Sequence, residues 1–349
     1  MACVPRRRLT IARTFCFSAV SALLLVAACG ETKDEPGTNG FADPIPGEGS
    51  DIDSGIGSGG GQDTDSGDSK AGLCGVLPTC EAQGAGEPSS ADCDMNGVWI
   101  STQRTQSIAL GGAILQSEHM YFLWEVEQHG EDFLVTRGLR CGYRNVDQGS
   151  SLPTHVTVSE PAFWNGNTTH MSDTCRGGTF RSDGAGSCDF SLDRSTYVRG
   201  ASPGFFNDMA NALLPTVEQP AACGDEPGWE DWDEDGEPGV TLVVVGVASI
   251  TMHVAQRGWT EATGSTDADS PHFAVPLDWD FEQQIIATTP RDMTIPPTEN
   301  FATANVDDHQ QAFHRLGDSE LAVLDGLDDL GQCELVREWA PILIPELEK

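Results

Sequence analysis

The sequence predicts a mainly β protein, an antiparallel β-barrel or β-sandwich with few short helices that is stapled by disulfides. Three observations predict this class. Short segments rich in β-branched and aromatic residues recur along the chain, separated by Gly-rich turns. Helical periodicity is scarce. An even number of cysteines follows an N-terminus that predicts export, which favours disulfide formation.

The N-terminus is typical of a secretion signal. Arginines at positions 6–8 and 13 precede an apolar stretch that is too short to span a bilayer as a helix. This stretch ends at Val26-Ala27-Ala28-Cys29, which resembles the lipobox of bacterial lipoproteins. The resemblance implies that residues 1–28 are removed and that Cys29 carries the lipid. Because Gly30 follows the cysteine, it also implies the outer membrane, with the protein in the periplasm or on the cell surface.

Residues 29–72 are expected to form a lipidated, disordered tether. Gly, Asp and Ser dominate this segment and apolar residues are nearly absent. Such a composition cannot bury enough apolar surface to offset the entropy of ordering. We therefore expect one β-rich extracytoplasmic domain over residues 73–345.

Within this domain the apolar patterns predict a series of strands and two helices. The strands are expected at residues 98–103, 120–127, 132–137, 155–159, 188–194, 241–247, 250–257, 281–288 and 312–316. The helices are expected at residues 205–214 and 333–340, and Pro341 should end or kink the second helix.

Eight cysteines lie beyond the lipidation site and are candidates for disulfides: Cys74, Cys80, Cys93, Cys141, Cys175, Cys188, Cys223 and Cys333. Paired CxxC spacings are missing, which argues against structural zinc. Eight cysteines allow 105 pairings, so the connectivity stays open. One specific expectation is that Cys175 and Cys188, which bracket a Gly-rich turn, close a hairpin.

The charge balance excludes one class of partner. The formal net charge of the sequence is −35, from 54 acidic and 19 basic residues. Such a surface repels nucleic acid and attracts divalent cations. We therefore expect no nucleic-acid partner.

The sharpest candidate site is an acidic run at residues 231–239, within a long loop expected at residues 200–239. Alternating carboxylates followed by a glycine suit the several oxygen ligands that Ca²⁺ requires. The run resembles the start of an EF-hand loop and also the calcium loops of thrombospondin type 3 repeats. The resemblance implies side-chain ligands from Asp231, Asp233 and Asp235 and the backbone carbonyl of Glu237. Leu242 stands where an EF-hand has its bidentate glutamate, so another group must complete the shell.

We expect this calcium ion to be structural and to pin the long loop to the sheet. The alternative is a solvated acidic turn in which Pro238 and Gly239 precede the strand at Val240.

A second motif, Asn96-Gly97-Val98-Trp99, opens the first expected strand. It resembles the GxW start of lipocalin-type (calycin) barrels. The resemblance implies that Trp99 plugs the barrel floor and that an arginine from the last strand lies across it; Arg315 has that place in chain order. The alternative is that Trp99 is an ordinary core residue. The domain is also much longer than a lipocalin, which argues against a simple eight-stranded barrel.

The overall layout of lipobox, tether and Cys-rich β domain resembles uncharacterised lipoproteins that are common in myxobacteria, and it implies no activity. Three classes of function therefore stay open. The first is a membrane-anchored binding or scaffold protein for an apolar or amphipathic small ligand. The second is a glycan-directed hydrolase or carbohydrate-binding protein that uses carboxylates such as Asp278, Asp280 or Glu282. The third is a structural or adhesive surface protein.

The first class is preferred because the sequence has no nucleophile elbow, P-loop or dinucleotide fingerprint in the expected domain.

Overall fold

A computed structural model describes residues 86–88, 90–109, 114–148, 155–158, 161–201, 213–216, 228–245, 249–290, 301–303 and 305–348. The expected signal, the lipidation site Cys29 and the tether lie outside these residues, as do Cys74, Cys80, Cys223 and nearly all of the expected helix at 205–214.

The described residues form eleven β-strands and three α-helices. The strands are β1 Gly97–Ala109, β2 Ile114–His129, β3 Asp132–Asp147, β4 His155–Val158, β5 Gly177–Ser182, β6 Ser187–Arg199, β7 Val240–Val245, β8 Ile250–Asp267, β9 His272–Thr289, β10 Phe301–Ala302 and β11 Gln310–Arg315. The helices are α1 Ala162–His170, α2 Asp318–Leu324 and α3 Asp329–Leu343. Each expected strand overlaps an observed one, and the mainly β prediction is confirmed.

Eight of these strands close into an antiparallel ring. Their order is β1-β2-β3-β5-β6-β8-β9-β11, and β11 pairs back onto β1. Each ring strand pairs with the ring strands that precede and follow it in the chain, so the connectivity is a simple meander. Of the two architectures that the sequence left open, the structure is the barrel.

The extra length of the domain lies in insertions between ring strands. β4 and α1 lie between β3 and β5, β7 lies between β6 and β8, and β10 lies between β9 and β11. β7 pairs with the first residues of β8, where it extends the sheet outside the ring. As the length of the domain predicted, the protein is not a simple eight-stranded barrel, because three further strands pair outside the eight-stranded ring.

Aromatic side chains fill one end of the barrel. Trp99, Trp124, Phe273 and Phe313 are buried there, with ring centroids 4.8 Å apart for Phe273 and Phe313 and 5.5 Å apart for Trp124 and Phe313. They come from four different ring strands and face inward because alternate residues of a strand point to the same side. This cluster forms the apolar floor of the barrel.

A second core lies outside the barrel, where α3 packs on the outer face of β1 to β3. Val336 and Ala340 of the helix are fully buried with Ile100 and Leu123 of the sheet. The predicted helix at 333–340 is confirmed, and it ends two residues after Pro341. Among the described helices, none has both the length and the apolar character needed to cross a bilayer.

Two disulfides are seen directly, Cys93–Cys188 and Cys141–Cys333, and Cys175 is also disulfide-bonded. The expected Cys175–Cys188 pair is wrong. Ser182 pairs with Cys188 across the β5–β6 hairpin, which leaves Cys175 beyond the far end of β5. The Cys188 side chain instead is fully buried beside Cys93, at a Cα–Cα distance of 5.7 Å.

Candidate ligand chamber and calcium site

Trp99 and Arg315 meet at the barrel floor. They are paired across β1 and β11, and the Arg315 guanidinium carbon lies 4.9 Å from the centre of the Trp99 ring. The indole Nε1 of Trp99 donates to the carbonyl of Met95 at 2.9 Å, while Arg315 donates to the carbonyl of Asp94. This is the cation–π contact that the resemblance to lipocalin-type barrels implied for these two residues.

The barrel interior changes from apolar to polar along its axis. Facing pairs on the inner sides of β1 and β2, starting at the floor, are Trp99/Trp124, Ser101/Phe122, Gln103/Met120, Thr105/Glu118 and Ser107/Gln116. We call the inner half away from the floor the polar chamber. Its side chains are Gln103, Thr105, Ser107, Glu118, Arg140, Tyr143, Tyr197, Arg199, Gln256, Gln283 and Gln311.

Two guanidinium groups dominate the charge of the polar chamber. The Tyr197 ring lies between them, 4.7 Å from the Arg140 guanidinium carbon and 5.2 Å from that of Arg199. Burial raises the pKa of Glu118 despite the nearby charge of Arg199, and Tyr143 is hydrogen-bonded to this carboxyl. Burial also raises the pKa of Tyr143 well above its usual value. The acidic groups of the chamber thus resist ionisation.

Several polar atoms of the chamber have no hydrogen-bond partner in the described residues. They are Ser107 Oγ, Arg140 Nε, Arg199 Nε and Gln311 Oε1. The other nitrogens of Arg199 donate to Oε1 of Gln256 at 3.4 Å and to the sulfur of Met120 at 3.2 Å, and both acceptors are neutral. Unpaired buried polar atoms are unfavourable, so a water molecule or a polar group bound beside these atoms would be favourable.

The three predicted aspartates of the acidic loop converge. Ligand atoms from Asp231, Asp233 and Asp235 all lie within 4.8 Å of one another. The loop curls through positive φ angles at Glu234 (55°) and Gly236 (86°). The two carboxylate oxygens of Asp231 accept the backbone N–H groups of Asp235 at 3.0 Å and of Gly236 at 2.9 Å. The structure therefore brings together the side chains that the sequence pattern selected.

Asp233 is the buried member of this cluster, with 2% of its surface exposed. Its Oδ2 accepts the N–H of Thr241 at 3.0 Å, whereas Oδ1 has no partner in the described residues. Burial, with the neighbouring charges of Asp235 and Asp231, raises the pKa of Asp233 to about 6. A buried, unpartnered carboxylate oxygen beside two other carboxylates fits a hard divalent cation.

The surroundings of the cluster differ from an EF-hand. Leu242 is buried in the core and supplies no ligand, and the exposed Glu237 donates its N–H to Asp235 at 2.9 Å. Thr241 contacts one side of the aspartate cluster. Its hydroxyl donates to Asp235 at 2.5 Å and lies 3.0 Å from Nδ1 of the buried His253. No local sequence pattern points to Thr241 and His253, because only the pairing of β7 with β8 brings them together.

The acidic loop is fastened to α1 through Trp232, which is 1% exposed. The ring of His170, the last residue of α1, lies 4.7 Å from the Trp232 ring. Gly166 of α1 lies so close that a Cβ atom there would be 2.4 Å from the carbonyl oxygen of Trp232. The cluster is thus tied to a helix that packs on β3 of the barrel.

The other carboxylates singled out from the sequence lie on the outer face of the barrel. Asp278, Asp280 and Glu282 are exposed and alternate with inward residues along β9. Glu282 forms an ion pair with Arg257 of the neighbouring strand β8. The Trp259 ring beside them is covered by Arg194, whose guanidinium carbon is 3.6 Å from the ring centre. These three carboxylates share one face of one strand, as in a solvated sheet surface.

The chain matches no protein-family model, and comparison with curated proteins and with solved structures finds no significant similarity.

Proposed function

We propose that this protein is a lipid-anchored extracytoplasmic binding protein whose barrel takes up a small amphipathic ligand. The single observation that supports it is the polar chamber, with its buried and unpartnered hydrogen-bonding atoms. A barrel that served only as a scaffold would gain nothing from them, because each such atom costs about 1–3 kcal/mol when left unpaired. A bound polar group would recover this cost.

The ligand is proposed to be amphipathic rather than wholly apolar. The apolar floor is already filled by close-packed aromatic rings, so it offers a hydrophobic wall. The remaining interior presents two arginines, two tyrosines and several glutamines. A ligand with a short apolar part and a polar or charged head matches this gradient.

The proposal includes one structural calcium ion at Asp231, Asp233 and Asp235. Its support is the convergence of the three carboxylates and the unpartnered oxygen of Asp233. When bound, the ion supplies positive charge that offsets the repulsion among these groups. It would hold the acidic loop, and through Trp232 also α1, against the barrel.

The site of action is proposed from the N-terminal motif. Lipidation of Cys29 after removal of residues 1–28 would moor the domain to the outer membrane, in the periplasm or at the cell surface, through the tether. Metabolic labelling with an alkyne fatty acid tests this point. Label is expected on the wild-type chain and not on Cys29→Ser, and persistent label on the variant would contradict the anchor.

A binding panel tests the function itself. The purified full-length chain is incubated with aliphatic alcohols, aliphatic acids and disaccharides, and complexes are detected by native mass spectrometry. Ser107→Phe should block the chamber, because Ser107 is buried on its inner wall. The matched control Ser265→Phe adds the same ring at an exposed position of β8 and should leave binding intact.

The outcome is decisive if both variants retain the wild-type melting midpoint. No binding across the panel would reject the binding function and favour a structural or adhesive role. Binding of disaccharides that survives Ser107→Phe would instead favour carbohydrate recognition at another surface.

Calcium is tested by melting the chain with 10 mM CaCl₂ and with a chelator. For a site with millimolar affinity, mass action predicts a stabilisation of about 1.4 kcal/mol, or roughly 3–5 °C in the midpoint. Asp233→Asn should remove this shift, whereas Asp189→Asn, in an exposed ion pair with Arg181, should keep it. An identical midpoint with and without calcium would reject the site.

A further inference from the structure

A cleft of about 360 Å³ opens in the barrel wall between β6 and the segment that joins α1 to β5. Met171, Ser172 and Thr174 form one side, and Tyr197 and Val198 of β6 form the other. Tyr197 is also a wall residue of the polar chamber, so the cleft and the chamber share this side chain. In a strongly acidic chain, this cleft is notable for gathering three arginines: Arg140, Arg176 and Arg194.

Arg176 lines the cleft and is 5% exposed. Its Nε donates to the carbonyl of Asp193 at 2.9 Å, and its Nη2 donates to the carbonyl of Thr260 at 2.7 Å. Both acceptors are neutral. Its Nη1 has no hydrogen-bond partner in the described residues. A buried guanidinium that keeps one nitrogen unpaired is prepared for an additional acceptor.

Arg140 provides a second incompletely paired donor. Its Nη2 forms an ion pair with Asp173 at 2.7 Å, while its Nε has no partner in the described residues. The other oxygen of Asp173 accepts the indole N–H of Trp124 at 3.2 Å. Asp173 is therefore fully engaged, and it is the carboxylate that is buried with these two guanidiniums.

Two side chains at the rim of the cleft, Arg194 and His170, each lie close to a carboxylate. Arg194 is paired with Glu261 at 2.9 Å, and His170 lies 3.6 Å from Glu230. Asp193 is exposed and is the rim carboxylate that opposes an incoming anion. Burial, together with the charge of Arg140, lowers the pKa of Arg176 to about 10, although Asp173 and Asp193 act in the opposite direction. Arg176 is thus charged at neutral pH.

We propose that this cleft is an oxyanion-binding site in which Arg176 Nη1, supported by Arg140, holds the anionic head of the ligand. The inference deepens the proposed binding function, on which it rests, by naming the charged group of the amphipathic ligand. A carboxylate on an aliphatic chain and a free inorganic oxyanion present the same oxygen acceptors, and both fit a guanidinium.

Isothermal titration of the full-length chain with three probes tests this proposal: sodium hexanoate, sodium phosphate and hexan-1-ol. Hexanoate or phosphate should bind, and hexanol should bind at least about tenfold more weakly, since a charge-assisted hydrogen bond contributes roughly ten- to a hundredfold in affinity. Tighter binding of hexanoate assigns the site to an aliphatic acid. Tighter binding of phosphate assigns it to a free oxyanion.

Three variants test whether anion binding depends on this cleft. Arg176→Gln should weaken anion binding at least tenfold, whereas Arg181→Gln removes the same charge from the exposed end of the β5–β6 hairpin and should change nothing. Asp193→Asn should tighten anion binding about threefold or more, because it removes the opposing carboxylate. Asp193→Asn keeps the backbone carbonyl of residue 193, to which Arg176 donates. The proposal can therefore still be tested with this variant if Arg176→Gln fails to fold.

The results that would overturn the proposal are equally specific. Anion affinity that is unchanged in both Arg176→Gln and Asp193→Asn would reject the cleft as the site. Equal binding of hexanol and hexanoate would reject a charged head while leaving the proposed binding function in place. Failure of every probe here and of the whole ligand panel would reject the binding function as well.

Discussion

Asp233 makes the acidic loop sensitive to pH. Its pKa in the folded chain is about 6, raised from an ordinary value of 3.8 because the carboxylate is buried. The folded chain therefore binds more protons than the unfolded chain between these two pH values. The stability that the protonated group contributes is complete below about 3.8 and is lost as the pH rises through about 6.

This shift leads to a prediction for the metal-free protein. In metal-free buffer, the free energy of unfolding of the wild type should fall between pH 4 and pH 7 relative to that of Asp233→Asn, which has no proton to lose. Urea denaturation at several pH values measures the difference. Asp189→Asn is the control and should follow the wild type. Parallel curves for the wild type and Asp233→Asn would contradict the shifted pKa.

The residues that could be predicted from the sequence are those whose chemistry is written in a local motif. Asp231, Asp233 and Asp235 alternate within five positions, and Trp99 stands in a short motif at a strand start. Arg176, Thr241 and His253 carry no such signal. Their partners come from other strands, as when Arg176 donates to Thr260. Such residues become visible only when the pairing of the strands is known.

At the scale of elements, α1 shows how tertiary contact overrides local preference. Its sequence contains Gly166 and four Asn or Thr residues, which are all weak helix formers, and the sequence analysis did not predict it. The helix forms where Phe163 is buried next to Tyr143 and Trp164 donates to the carbonyl of Tyr143 at 3.1 Å. Packing, rather than propensity, stabilises this element.

Gly166→Ala should change the free energy of unfolding through two effects of opposite sign, which are higher helix propensity and a steric clash with the acidic loop. In an isolated helix the substitution would stabilise by about 1 kcal/mol. Here the new methyl group would lie 2.4 Å from the carbonyl of Trp232 and 2.7 Å from its indole ring. We expect a net destabilisation of about 1–3 kcal/mol and weaker calcium binding, because α1 and the acidic loop must move apart.

Thermal melting with and without calcium measures both consequences of Gly166→Ala. The neighbouring Asn165→Ala is the control, since residue 165 is exposed in the same helix and should be neutral or slightly stabilising. An increase in stability for Gly166→Ala would show that the helix and the loop are not in close contact.

The apolar patterns predicted only residues 281–288 of β9, although burial alternates regularly in the first half of this strand. In β9, Phe273, Val275, Leu277 and Trp279 are buried and the residues between them are exposed. Such alternation of buried and exposed residues indicates a strand with one solvent-exposed face. The first six residues of β2, before residue 120, escaped prediction because the inward side chains of Gln116 and Glu118 are polar and break the apolar alternation.

At the scale of the whole molecule, ring closure could not be predicted. A barrel and a sandwich contain the same kind of strands, and the difference lies in which edge strands pair. Here closure joins β1 to β11, and the hydroxyl of Ser101 donates to the carbonyl of Ala312, 211 positions away, at 3.0 Å. Such distant pairings are set by the entire chain, so a local pattern leaves both architectures open.

The net charge of −35 leads to a final prediction, which concerns the dependence of the melting midpoint on salt. Like charges on a compact domain repel one another, and salt screens this repulsion as the Debye length falls from about 30 Å at 10 mM to about 10 Å at 100 mM. In a chelator, raising sodium chloride from 10 to 300 mM should therefore raise the melting midpoint by a few degrees. With saturating calcium the rise should be smaller, because the ion already neutralises the cluster at Asp231, Asp233 and Asp235. A midpoint that is flat or falls with salt in the chelator would show that favourable ion pairs, rather than repulsion, dominate the surface electrostatics.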